Sequence, residues 1–196
     1  MQKKNFTLCF IIFFLLYTNI SNSIEPDIFV QSTVNRASQA LNNKFSKEEK
    51  INKLKSIAKE TVDIKGIGFY TLGAYRKQMN ADQLKTYATL FEQYFLKSFS
   101  SRLAEYSNPE IEVNSKKKLN EKYTMVSSTL VATNQRPEVK IDWRIYTKNP
   151  EKPLIRDLII EGLSLARTQK EEFSSIIQTN DGDINALFDT LKKFIN

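Results

Sequence analysis

Between Leu154 and Ile177 an apolar stretch, LIRDLIIEGLSLARTQKEEFSSII, changes its repeat half-way along. Leu154 to Ile160 is a Leu/Ile-rich run of strand length, which predicts a buried strand. Gly162 ends it, and Ser164 is placed to accept from the free N–H groups of a helix start. From Leu165 the apolar residues recur at helical intervals through Ala166, Phe173, Ile176 and Ile177. A buried strand that turns into an amphipathic helix needs a sheet beside it and other helices against it. No glycine fingerprint, G-x-S-x-G elbow or metal-ligand pair accompanies the unit. It reads as the wall and hinge of an apolar cavity.

Upstream, helices dominate. Pro26 suits a first helical turn, and Val30, Val34, Ala37 and Leu41 repeat at three and four until Asn42-Asn43. Ser46 and Glu49 form a capping box before Ile51, Leu54, Ile57 and Ala58. Gly66 and Gly68 in VDIKGIGFYTLGAY have neither a preceding strand nor a following G-K-[ST], so a phosphate loop is rejected for a short, closely packed helix. Asn80 to Gln83 is a second capping box. The longest helix follows, with Leu84, Tyr87, Ala88, Phe91, Phe95, Phe99, Leu103 and Tyr106 on one stripe, stopped before Pro109. Such a stripe is more often solid core than ligand contact, but a cavity for acyl chains would need just such a wall.

After Pro109 the period becomes two. A short strand is expected at Ile111 to Val113. A longer one runs from Tyr123 to Thr133, with its alternation slipping near Val126 in the manner of a bulge. Val139, Ile141, Trp143 and Ile145 share one face of the next strand, and Leu154 to Glu161 closes the meander. Asn180-Asp181-Gly182-Asp183 then forms a break and cap before a last helix through Ile184, Leu187, Phe188, Leu191 and Ile195. The expected fold class is α+β: a curved antiparallel meander of about four strands packed against several helices, with an apolar cavity between them.

The first 23 residues are of another kind. Lys3 and Lys4 precede an apolar run from Phe6 to Tyr17, and Ser21-Asn22-Ser23 offers a cleavage site. Residues 1–23 are therefore expected to be a secretory signal peptide, and 24–196 a single domain. The apolar run is too short for a membrane core of about 30 Å. Removal takes away two lysines and no acid, lowering the net charge from +7 to +5, together with the chain's one cysteine. An exported chain without disulfides depends on packing for its stability.

The chain contains no histidine. That removes Ser-His and Cys-His nucleophile pairs, imidazole bases and the common zinc sites. Carboxylates remain. Asp157 and Glu161, four apart on one strand, would stand about 13 Å from each other, too far for glycosidase work. Asp157, Asp142 and Glu161 are better read as ion-pair partners of Arg144 or Arg156. Asp181-Gly182-Asp183 lacks the spacing and closing Glu of an EF-hand. No residue is assigned a catalytic or metal role, and no cofactor is expected. The run Lys116 to Lys118 either guards a strand edge or attracts an anionic headgroup or acidic surface. Nucleic acid is not an expected partner.

Two regions carry a family resemblance. One is Leu72-Gly73-Ala74-Tyr75-Arg76-Lys77 followed by Asn80-Ala81-Asp82-Gln83 and then Phe91, Phe95, Leu103 and Tyr106. The other is Ile141-Asp142-Trp143-Arg144, then Asp157 to Leu165, then Phe173. Together they resemble the MlaC (toluene-tolerance) family of Gram-negative bacteria. Arg76, Arg167 and Gln169 depart from residues usual there. The resemblance implies a periplasmic phospholipid carrier that is not an enzyme and holds lipid tails between helices and sheet. It also implies exchange with an inner-membrane ABC transporter bearing an MCE-type subunit and with an outer-membrane lipoprotein-porin complex, as part of an Mla-type lipid-asymmetry system. The expected lipid-binding wall is Phe69, Leu72, Phe91, Phe95, Ile145, Leu158, Ile160, Leu163 and Leu165. Two alternatives stand beside it: a secreted interaction module with a solid core, and a carboxylate-dependent hydrolase.

Overall fold

In the computed structural model, which describes residues 23–134 and 136–196, the amino-terminal helices begin where the sequence supplies a start signal. The signal peptide expected over residues 1–23 falls, but for Ser23, outside the described residues. Helix α1 (Pro26–Ala40) opens on its proline. Helix α2 (Lys47–Thr61) has the full capping box: Ser46 Oγ accepts from Glu49 N–H at 3.2 Å, and the Glu49 carboxylate from Ser46 N–H at 2.8 Å. Asp63 caps α3 (Ile64–Thr71) by accepting from Gly66 N–H at 2.8 Å. A 3₁₀ turn (Gly73–Lys77) leads to α4 (Ala81–Leu103), whose Asn80/Gln83 box closes at 2.9 Å in both directions. Tyr106, expected on the α4 stripe, lies beyond the helix end and is 37% exposed.

Five strands follow in an antiparallel meander: β1 (Ile111–Asn120), β2 (Tyr123–Leu130), β3 (Val139–Tyr146), β4 (Leu154–Ile160) and β5 (Leu163–Ser164). The sheet is open, and α5 (Leu165–Gln178) and α6 (Ile184–Ile195) complete the α+β fold. The first strand is ten residues long, well beyond the expected Ile111 to Val113. Its extension from Asn114 to Asn120 is exposed throughout, so no apolar alternation marks it. Pairing with β2 defines it instead. The irregularities also lie in β1, at Asn114 and Leu119; β2 alternates without a slip, and its register with β3 is unbroken.

The inward-facing hydroxyl of Ser128 on β2 has partners. Trp143 Nε1–H donates to Ser128 Oγ at 2.8 Å, and that hydroxyl donates to the Ile141 carbonyl at 3.2 Å. A third irregularity sits in β4. Arg144 pairs with Asp157 but Ile145 with Ile155, which leaves Arg156 as the extra residue. The free edge of β4 is covered at one end by β5 and at the other by a bridge from Val62 to Ile155. The opposite edge, β1, is the one carrying Lys116 to Lys118.

The helices share the sheet between them. Helix α1 packs on β1 and β2, α3 and α5 pack on β4, and α4 packs on α2, α3 and α6. The space so enclosed holds one large apolar cluster running from Val30 and Val34 through Leu72, Phe91, Trp143 and Ile145 to Leu191. No described helix is long and apolar enough to cross a membrane.

Candidate functional site

The interior between helices and sheet is where the aromatic residues of α4 gather. Phe91 lies 6.2 Å from Phe95 and 5.8 Å from Tyr87, and Phe95 stacks on Phe99 at 5.5 Å with rings 10° apart. Phe173 of α5 meets Phe91 edge-on at 6.2 Å and 89°. Gly68 permits this crowding: a Cβ there would sit 2.7 Å from Phe91 Cδ1. Tyr87 is fully buried, and its hydroxyl bonds to Thr71 Oγ1 at 2.7 Å. Burial pushes its phenol well above the usual tyrosine range, the Thr71 hydrogen bond opposing only in part, so the ring stays neutral.

Of the expected wall residues, Leu72, Phe91 and Ile145 are buried in this cluster, and Phe69, Phe95 and Leu158 are half-buried against it. Ile160 is also half-buried, cross-strand from Ile141. Leu163 and Leu165 are placed elsewhere, 60% and 42% exposed. The reason is local: the β4–β5 hairpin turns at Glu161 and Gly162, both with positive φ, and the buried face of α5 begins only at Ala166. Periodicity also understated Tyr87, Trp143 and Phe173, which are buried at the centre of the same cluster.

Two concavities open on the surface, and neither is the enclosed apolar cavity expected from the sequence. One, about 620 Å³, lies between α1 and the start of β1, lined by Gln31, Asn35, Ser38 and residues 109–114. The other, about 580 Å³, lies between Tyr70 and the outer face of α5 at Arg167, Lys170, Glu171 and Ser174. At the expected place, the rings of Phe91 and Phe173 meet edge-on.

The profile of the MlaC protein family matches residues 31–193. The chain belongs to the MlaC family. A phospholipid-binding protein from Ralstonia solanacearum, solved in complex with a phospholipid, superposes with a TM-score of 0.73 at 18% identity, over 88% of this chain and 97% of that one. At that identity the likeness establishes the fold.

In this MlaC chain, the bulge on β4 places two polar residues side by side, and each holds one helix. Arg156 Nε donates to the Asp63 carboxylate that caps α3 at 2.5 Å, and its guanidinium lies over the Tyr146 ring at 4.5 Å. Asp157, 4% exposed, accepts from Ser164 Oγ–H at 2.6 Å and from Ala166 N–H at 3.0 Å, at the start of α5. Ser164 Oγ accepts in turn from Arg167 N–H at 3.1 Å, so the cap read from the sequence is itself anchored to the sheet. Arg144 Nη1 stands 3.4 Å from Asp157, as one of the two expected ion pairs. Glu161 is instead exposed in the turn, where its carboxylate accepts from Lys140 N–H. Of the expected ion pairs only Asp157 with Arg144 forms: Arg156 pairs with Asp63, Asp142 accepts from Ser127 Oγ–H at 2.6 Å, and Glu161 meets neither arginine. Among the described residues no group of three or more Cys, Asp or Glu side chains gathers as a metal site would require.

Proposed function

We propose that this protein is a periplasmic phospholipid carrier, which binds the lipid tails between its helices and sheet and moves them across the space between two membranes. The observation that carries this reading is the family match over residues 31–193, joined to an interior built from large apolar rings. The phospholipid bound by the Ralstonia protein of the same fold supports it. A signal peptide at residues 1–23 would deliver the chain to the periplasm. The exchange partners are an inner-membrane ABC transporter with an MCE-type subunit and an outer-membrane lipoprotein-porin complex.

The physical case rests on transfer cost. Each acyl CH₂ exposed to water costs about 0.8 kcal/mol, so a tail of a dozen methylenes costs about 10 kcal/mol. A protein interior removes that cost during transit. Phe69, Leu72, Phe91, Phe95, Ile145, Leu158 and Ile160 form the wall in this reading. Tails enter as the rings of α4 and α5 swing apart, because dense side-chain packing leaves little empty volume before they do. The protein carries its cargo without transforming it.

Native mass spectrometry of the protein purified without detergent from its own cells, followed by lipid extraction, tests the reading. A bound mass equal to a phospholipid, lost only on unfolding, is expected. A bare mass after incubation with phospholipid vesicles would favour an interaction module with a permanently solid core.

A further inference from the structure

We propose that the surface shared by α3, the 3₁₀ turn and the outer face of α5 docks on an anionic phospholipid bilayer. The inference deepens the carrier reading and takes from it only that membranes are what this protein meets. Six residues compose the face. Phe69, half-buried, has Arg76 over its ring at 4.4 Å and Lys65 at 5.7 Å. The next residue, Tyr70, is 46% exposed and has the Lys170 ammonium 5.5 Å from its ring centre. Arg167 lines the same open cleft as Tyr70 and Lys170.

None of these four cations has a carboxylate within salt-bridge distance among the described residues. Glu171 is the one acid lining the cleft. The arrangement is built. Gly73 has φ +55, and a Cβ at that position would come within 2.9 Å of Lys170 Cε. The glycine therefore leaves room for the Lys170 stem to lie across the 3₁₀ turn towards Tyr70.

Cations resting on one half-buried and one exposed aromatic ring suit a lipid surface in two ways. Lys and Arg are drawn to anionic headgroups over about a Debye length, and aromatic rings with polar tips settle at headgroup depth. An acidic protein surface would answer the charge but would leave Tyr70 with no apolar layer to enter. The contact so proposed is peripheral, made by side chains at headgroup depth.

The test is co-sedimentation of the protein with vesicles of phosphatidylglycerol and phosphatidylcholine, and with vesicles of phosphatidylcholine alone. Binding to the anionic vesicles is expected, weakened by salt, with little to the zwitterionic ones. The double variant Arg76→Glu/Lys170→Glu is expected to lose about tenfold or more in partitioning. Lys44→Glu/Lys53→Glu is the matched control, since those lysines flank Phe45 in the same chemistry elsewhere on the molecule, at 5.0 and 4.5 Å. Should the first variant fail to fold, Tyr70→Ser with Arg76→Gln is expected to show the same direction with smaller size.

Equal loss in the control pair would overturn the assignment, because net charge alone would then explain binding. So would absence of binding by the unaltered protein. Lipid co-purifying with the Arg76→Glu/Lys170→Glu variant keeps the two readings separable, since docking fails or stands on the vesicles and carriage on the bound mass.

Discussion

Asp157 shows how much one buried side chain organises. Its carboxylate is held by a hydroxyl, a backbone N–H and a guanidinium, all drawn from the β3–β4–α5 junction. Replacing it with Ala strands Ser164 Oγ–H and Ala166 N–H and leaves α5 without its tie to the sheet. Asp157→Ala is expected to lose about 2–3 kcal/mol in urea unfolding. Ser164→Ala, which removes only the cap, should lose about 1 kcal/mol. Arg144→Gln should cost less than Asp157→Ala, because that pair is long and the Arg144 side chain is 37% exposed. A ranking in which Arg144 mattered most would show that charge pairing, not helix capping, holds the junction. Gly73→Ala is disfavoured on a different ground. Its φ of +55 suits glycine, and about 1 kcal/mol of destabilisation is expected, measured the same way.

At the scale of elements, α1 is tethered to the edge strand by Lys116, which donates to Asp27 at 2.8 Å and to Glu25 at 2.5 Å. The hydrogen bond from Lys116 lowers the Asp27 carboxyl below its ordinary value. A depressed carboxylate stabilises the fold above the unfolded pKa, and the contribution disappears as pH falls through the folded one. The protection of the first hydrogen-bonded amides of α1, from Phe29 onward, relative to their intrinsic exchange rate at each pH should therefore fall as pH drops below about 3.9, and Lys116→Met should remove that dependence. Unchanged pH sensitivity in that variant would place the effect elsewhere. The same lysine marks where the sequence was hard to read. Capping boxes at Ser46 and Asn80 were plain because the residues that form them are adjacent in sequence. Strand β1 was not, because its polar run from Asn114 to Asn120 owes its conformation to β2. Bulges are also non-local: Arg156 becomes one only through the register of β3. Leu163 and Leu165 looked like wall residues by type, and only the hairpin geometry turns them to solvent.

For the whole molecule the decisive question is whether the interior opens. Composition and periodicity identified the rings of α4 and the strand faces opposite, but no local pattern separates a filled core from a closed cavity, since both want the same side chains. Phe95 discriminates between them. It is half-buried and stacked on Phe99, so a carboxylate there can find water without breaking the fully buried centre at Tyr87 and Phe91. Phe95→Asp is therefore expected to fold, with a midpoint lowered by a few degrees and the circular dichroism of the unaltered protein. Its charge would face lipid tails in the loaded state, where an unpaired carboxylate is strongly disfavoured. Co-purified phospholipid should fall to background in this variant. Saturating phospholipid is expected to stabilise the unaltered protein by about 2.7 kcal/mol at a hundredfold excess over Kd, and to leave the variant unaffected. A folded Phe95→Asp protein that still carries lipid would move the tails away from α4. One that binds no lipid, beside an unaltered protein that does, ties the aromatic column to the cargo.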